Sequence, residues 1–354
     1  MANYTTIDDP TLYFSTTTYT GDGNQNRAVT IDGTGMQPDW LWVKNRSAAE
    51  GHVVGDSVRG ATIRLIPNDN GAEATRATNI ASFTSDGFTV ANGGVDGAVN
   101  TDAATYVSWA WKAGTSFSND ASSTGIGTID STGSASTAAG FSIVSYTGTG
   151  SAGTIKHGLS SIPKMIIMKT RSTDNIWSVY HVGLGNTKYM QLNEPDASTD
   201  NDTYWSDTTP TSSVFSVGTA SGVNGDGVTN IAYCFADVQG YSKMGSYTGN
   251  SSTDGTYVHL GFKPAFLMVK RIDASYRWTI SDNKRLGYNR IINQFAADAS
   301  TAENTSASYG EFDFTANGFK CRSAEDGMNV GDIVYMAFAE NPFVTSGGVP
   351  GLAE

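Results

Sequence analysis

The chain has 354 residues, of which 39% are hydrophobic and only 16% charged, with a formal net charge of −12. Its 15 Phe, 16 Tyr and 7 Trp supply apolar material for several cores, which argues against wholesale disorder. Nucleic acid is excluded as an expected partner, because neutralising phosphates takes clustered cations and the densest basic run is Lys284-Arg285. Membrane insertion is excluded likewise, since the best apolar run is Met165–Met168, far below spanning length. With so little charge and 40 Gly, solubility rests on Ser, Thr, Asn and Gly. That is the habit of turn-rich β-sandwiches.

In chain order, the first residues, Met1-Ala-Asn-Tyr-Thr-Thr-Ile-Asp-Asp, are polar and acidic and lack a signal-peptide apolar region. A first copy of a recurring pattern follows: Tyr19-Thr-Gly, then Gly35-Met-Gln-Pro38-Asp-Trp-Leu-Trp-Val-Lys44. The second reads Tyr146-Thr-Gly, then Gly158-Leu-Ser-Ser-Ile-Pro163-Lys-Met-Ile-Ile-Met-Lys169. The third reads Tyr247-Thr-Gly, then Gly261-Phe-Lys-Pro264-Ala-Phe-Leu-Met-Val-Lys270. Proline and lysine are six residues apart in every copy. Phe83-Thr-Ser-Asp-Gly-Phe88 matches Phe314-Thr-Ala-Asn-Gly-Phe319, and more loosely the run ending at Phe215. Each copy closes on an aromatic strand, Tyr106-Val-Ser-Trp-Ala-Trp111, Ile231-Ala-Tyr-Cys-Phe235 or Val334-Tyr-Met-Ala-Phe338. Spacing that agrees at both ends of each copy makes the chain a triplication.

The pattern predicts an all-β fold of three tandem jelly-roll-like antiparallel β-sandwich modules, each with room for about eight to ten strands. Proline suits a strand entrance, and the apolar run ending in lysine reads as a buried strand with a solvent-reaching tip. Asp86-Gly87 and Asn317-Gly318 read as type I′ hairpin turns, and Asn289–Ala297 as a short helix. Module 1 is expected over 1–114, a Ser/Thr/Gly-rich connector over 115–139, module 2 over 140–239, module 3 over 240–343 and an extended tail over 344–354. The connector is either a flexible linker or a source of edge strands for module 2. The near absence of a spacer between Phe235 and Tyr241 predicts a stiff array.

Lys44, Lys169 and Lys270 recur in every copy. Trp177 and Trp278 each stand eight residues after their lysine, with His52 at that place in the first copy. Residues shared by all copies read as fold-determining. His52, His157, His181 and His259 make no HxH or HxxxH spacing, and Cys234 and Cys321 make no CxxC. No metal, cofactor, disulfide or catalytic residue is therefore expected, and no GxSxG motif is present. Asn224–Asp226 is a Gly-Asp-rich turn that lacks the ligands of a calcium loop. The expected ligand-binding residues are Tyr204, Trp205 and Asp207, in a loop without counterpart in the other copies. Exposed rings there would stack on sugar faces beside polar groups that read hydroxyls.

Taken together, the YTG…GxxPxxhhhK pattern, the Phe83–Phe88 turn, Tyr106-Val-Ser-Trp-Ala-Trp-Lys-Ala-Gly114, Tyr335-Met-Ala-Phe-Ala-Glu-Asn-Pro-Phe343 and the opening Asp8-Asp-Pro-x-x-Tyr13-Phe14 are distinctive. They resemble a repeat module of uncharacterised marine tailed-bacteriophage virion proteins with concanavalin-like sandwiches. Copy two departs by two extra residues between its glycine and proline. The resemblance implies a non-enzymatic virion structural protein, tail-fibre or tail-associated, assembled in the host cytoplasm without a signal peptide. It implies other virion proteins and host surface polysaccharide as partners, and a homo-oligomer, a trimer if a fibre. Capsid decoration, a glycan depolymerase and a secreted lectin are the alternatives.

Overall fold

The computed structural model describes residues 4–350 apart from 34, 93–96, 287 and 308–309. The last four residues of the expected tail lie outside it. The fold is all-β and built of antiparallel sheets. Each copy contributes one large sheet and one small one. In copy one the large sheet runs Phe14–Thr20, Thr105–Trp111, Trp40–Asn45, Val53–Asp56, Gly60–Leu65, Ala74–Thr75. In copy three the order is the same: Ser242–Thr248, Asp332–Pro342, Phe262–Arg271, Thr279–Asp282, Gln294–Ala296. Copy two repeats it from Phe141–Thr147 onward but adds two strands at its edge, Ser131–Ser136 and then Thr115–Asn119. Residues 115–139 thus extend the second module's sheet. The small sheets, such as Arg27–Thr30 with Gly87–Val90 and Ile80–Thr84, cover one face of each large sheet.

The central strands are apolar at both parities, and the two faces go to different cores. Leu41 and Val43 pack inside the first sandwich, Ile166 and Met168 inside the second, and Leu267 and Val269 inside the third. Their neighbours Trp40, Trp42, Met165, Ile167, Phe266 and Met268 all enter one further core that the three modules share. There Trp40 stacks on Tyr233 with ring centroids 4.6 Å apart, and Phe14 stacks on Phe338 at 5.0 Å. The three large sheets therefore face one another across a common centre. The expected stiff array in series is corrected to a closed, threefold-like ring, because each large sheet has a second apolar face that only the other two modules can cover.

Both glycine motifs are explained by close approach. The Tyr of Tyr-Thr-Gly donates its hydroxyl to a backbone carbonyl, of Val99, Val223 or Met328. The next residue is a fully buried Asn (Asn100, Asn224 or Asn329) that ties down the loop following the motif, as Asn224 does by accepting from Thr149 N and donating to Ser151 O. A Cβ on Gly21 or Gly249 would lie 2.0 Å from backbone of that segment. In the Phe83–Phe88 hairpin Thr84 pairs with Gly87, and in the third copy Thr315 pairs with Gly318. The two-residue turns are therefore Ser85-Asp86 and Ala316-Asn317, one residue earlier than expected, and neither glycine has positive φ. Glycine is required there because a Cβ would meet Val29 O or Val258 O at 2.1 Å.

Other expectations are corrected. Gln294–Ala296 is a strand, not part of a helix; its Phe295 enters the shared core. Pro264 does not precede its strand but sits at a bulge within Phe262–Arg271, a place where a ladder tolerates proline. The described part of the tail turns back on itself, with Thr345 N donating to Val349 O at 2.9 Å.

Candidate functional site

The ring is closed by three sets of polar contacts, each repeated around the pseudo-threefold. In the first, the residue eight places after each lysine donates to a backbone carbonyl of a neighbouring module. Trp177 Nε1 reaches Ile66 O at 3.0 Å, Trp278 Nε1 reaches Gln191 O at 2.8 Å, and His52 Nε2 reaches Ala296 O at 3.0 Å. In the second, Tyr233 OH donates to Asp56 Oδ2 (2.7 Å), Trp109 Nε1 to Asp282 Oδ2 (3.1 Å), and His181 Nε2 to Tyr335 O (3.0 Å). In the third, the backbone N–H groups of Glu73, Ser198 and Glu303 donate to the carbonyls of Arg171, Ile272 and Arg46 at 2.8, 3.0 and 2.9 Å. Charged pairs reinforce two of these, Arg171 with Glu73 and Arg46 with Glu303, through two N–H bonds each. Each module thus grips one neighbour and is gripped by the other, the head-to-tail geometry of a cyclic trimer.

This placement accounts for the recurring residues. The expected solvent-reaching tips of Lys44, Lys169 and Lys270 are instead fully buried. Their ammonium groups donate to the carbonyls of Asn45, Thr170 and Arg271, because the strand ends lie beneath the neighbouring module. Burial pulls the pKa of each down to about 8 against the pull of nearby carboxylates, Glu50 and Glu303 for Lys44, Asp174 and Asp69 for Lys169, Asp298 and Asp196 for Lys270. His52, His157 and His181 are buried too, and burial lowers their pKa to about 3, 4 and 4. Each accepts at Nδ1, from Trp42 Nε1, Leu159 N and Gly183 N respectively. That fixes the neutral tautomer with its proton on Nε2. The thiols of Cys234 and Cys321 are free and buried, with pKa pushed up to about 12 by desolvation.

Tyr204 and Trp205 lie on the short helix Asp202–Trp205, which turns both rings into the second sandwich. Tyr204 stacks on Tyr189 with centroids 3.6 Å apart, and Trp205 Nε1 donates to Lys188 O at 3.1 Å. Neither ring is available to a sugar face, since both are buried. Asp207 is exposed but stands beyond the helix, its carbonyl accepting from Asn186 Nδ2. The loop does not bring the three side chains together as a binding surface. Asn224 is consumed by the loop it ties down. Among the described residues no group of three or more His, Cys, Asp and Glu could hold a metal, and no helix is long and apolar enough to cross a membrane.

What breaks the threefold is the two-strand extension of module 2, and it builds an open groove of about 770 Å³. The floor is a row of hydroxyls set by strand register. Ser118 pairs with Thr132 and Thr132 with Ser145, while Thr147 pairs with Thr229 on the next strand. All five line the groove. A second hollow on the same face adds Ser116 and Ser134, which pair with each other, and reaches Asp39 and Ser57 of module 1. Ser118, Thr132 and Thr147 are exposed, and among the described residues their hydroxyls make no hydrogen bond. Two carboxylates stand at the rim. Asp120 caps the helix Ala121–Thr124, and hydrogen bonds from Ser122 and Ser123 hold its pKa below the usual value. Asp130 accepts from Ala121 N. The groove's cation, Arg171, is engaged by Glu73 and by Ser145 Oγ. The signal in the sequence is the period-two Ser/Thr spacing at 116/118, 132/134 and 145/147, which a linker reading overlooks.

Fold and site together define a single-chain pseudo-trimer of β-sandwiches, with one hydroxyl-lined groove that breaks its symmetry. The chain belongs to the family of the domain of unknown function DUF7483, which it matches over residues 9–342. That match spans all three modules, in keeping with a ring that is one structural unit. Comparison with curated proteins and with solved structures finds no match.

Proposed function

We propose that this chain is a non-enzymatic structural component of a bacteriophage particle, carried on the tail or its fibres, and that it serves there as a preassembled threefold head. The observation that carries this reading is where the recurring chemistry goes. The buried lysines, the histidine and two tryptophans that stand eight residues after them, and the Asp56 and Asp282 pairs are all spent on strand ends and ring closure. Tail fibres are built on threefold symmetry, and a chain that closes its own pseudo-threefold matches such an axis as one subunit. The concanavalin-like sandwich motifs of the sequence, and their resemblance to phage virion proteins, support the same reading.

The test is immunogold labelling or cryo-electron microscopy of particles from a phage whose genome encodes the chain. Density or label at the tail is expected. Labelling over the whole capsid would replace this reading with capsid decoration, and absence from particles would overturn it.

A further inference from the structure

We infer that the groove on the second module is a binding site for an extended, uncharged polysaccharide chain lying across its strands. The inference rests on the proposed place on the tail, where a host surface polysaccharide is met, and names the ligand class that the groove fits.

Three observations carry it. First, the hydroxyls of Ser118, Thr132 and Ser145 follow one another across three adjacent strands. Neighbouring strands are about 4.8 Å apart, close to the length of one pyranose ring. An extended glycan crossing the strands therefore presents one sugar to each step of the row. Second, the free hydroxyls are both donors and acceptors, and they sit on rigid sheet rather than mobile loop. Binding then costs little ordering, and a sugar hydroxyl at Ser118, Thr132 or Thr147 meets a partner of either sense, while Ser145, which accepts from Arg171, still has its O–H to donate. Third, the electrostatics select against anions. Asp120 and Asp130 stand at the rim while Arg171 is neutralised by Glu73, so the local field is negative, as is the whole chain at −12. Phosphorylated or uronic-acid polymers are repelled. The volume, about 770 Å³, falls within the range of about 300–1,000 Å³ that ligand sites occupy. The groove is open, which suits the interior of a chain rather than its end.

Equilibrium binding of the whole chain to cello-, manno- and xylo-hexasaccharides, with polygalacturonate as the acidic counterpart, tests this. At least one neutral hexasaccharide is expected to bind and polygalacturonate is not. Ser118→Ala, Thr132→Val and Thr147→Val each remove one hydroxyl and are expected to weaken binding about fivefold. Thr132→Trp fills the groove and should abolish binding. Thr18→Trp, at an exposed position on the first module's edge strand, should leave it unchanged. Circular dichroism confirms that the variants fold. No binding of any neutral hexasaccharide at millimolar concentration, binding that survives Thr132→Trp, or preference for polygalacturonate overturns the inference. Any of these would leave placement on the particle tail, and with it the structural role, intact.

Discussion

Replacing Asp56 with alanine removes the acceptor at the centre of one ring contact, and its cost can be worked from the partners left behind. Asp56 is fully buried. Its Oδ2 accepts from Tyr233 OH of the neighbouring module and from Arg59 Nε at 2.6 Å, and its Oδ1 accepts from the backbone N–H groups of Val58 and Arg59. Burial opposes charge on Arg59, yet Asp56, Tyr233 and Glu73 together hold its pKa above the usual value. Without Asp56 the guanidinium keeps Glu73, 3.6 Å away, and the Tyr233 oxygen, to which Nη2 donates at 3.3 Å, while Tyr233 OH loses its own acceptor. Breaking a buried pair in this way costs about 3–5 kcal/mol, and the two stranded N–H groups place this case in the upper part of that range. The second module shows how the same slot is filled without charge, since His181 and Leu184 stand where Asp56 and Arg59 do. A double variant, Asp56→His with Arg59→Leu, is therefore expected to fall within about 2 kcal/mol of the parent: it removes the buried cation along with its partner and leaves an imidazole that, like His181, accepts a loop N–H at Nδ1 and donates from Nε2, here to the Tyr233 oxygen. Urea unfolding followed by tryptophan fluorescence measures both. An Asp56→Ala cost below about 1 kcal/mol, or a double variant no more stable than the single, would refute the reasoning.

The remaining predictions use the same observations. Gly87→Ala is expected to destabilise by about 2 kcal/mol, since its Cβ meets the backbone oxygen Val29 O at 2.1 Å, whereas Gly71→Ala, with nothing nearer than 3.7 Å, should be near neutral by thermal melting. Ser346 N donates to Asp8 Oδ1 at 2.6 Å, so a short linker joining the two ends, with new ends opened at residue 114, should give a folded permutant with native near-ultraviolet dichroism. A collapsed spectrum would argue against ring closure. The three buried lysines release their protons near pH 8 when folded and near 10.4 when unfolded. Between those values the unfolded state holds more protons, so stability rises with pH, by up to about 1.4 kcal/mol per pH unit for each lysine. Urea midpoints from pH 7 to 9.5 should climb, and Lys44→Met should flatten the climb by about a third. A midpoint that falls over that range would contradict the burial of these groups.

The triplication was legible because proline, lysine and the closing aromatics keep their spacing through all three copies. Ring closure was not, because adjacency between modules leaves no periodicity. Its trace was present, however. Trp40 and Trp42 alternate with Leu41 and Val43, so both faces of that strand demand cover, and a two-layer sandwich covers only one. The lysines misled because a cationic tip after an apolar run ordinarily reaches water, and only the neighbouring module's overhang buries it. Tyr204 and Trp205 misled in the opposite sense. Their polar neighbours suggest an exposed loop, but one helical turn, capped by Asn201 accepting from Thr203 N, rotates both rings inward. The groove lay in a stretch whose composition fits linker and edge strand equally.

A homotrimer of such sandwiches would come apart on dilution, since its integrity depends on subunit concentration. Here the peptide chain itself tethers the third partner to the first. Closure is a first-order event, and the assembly holds together equally well as a single molecule far from any other copy.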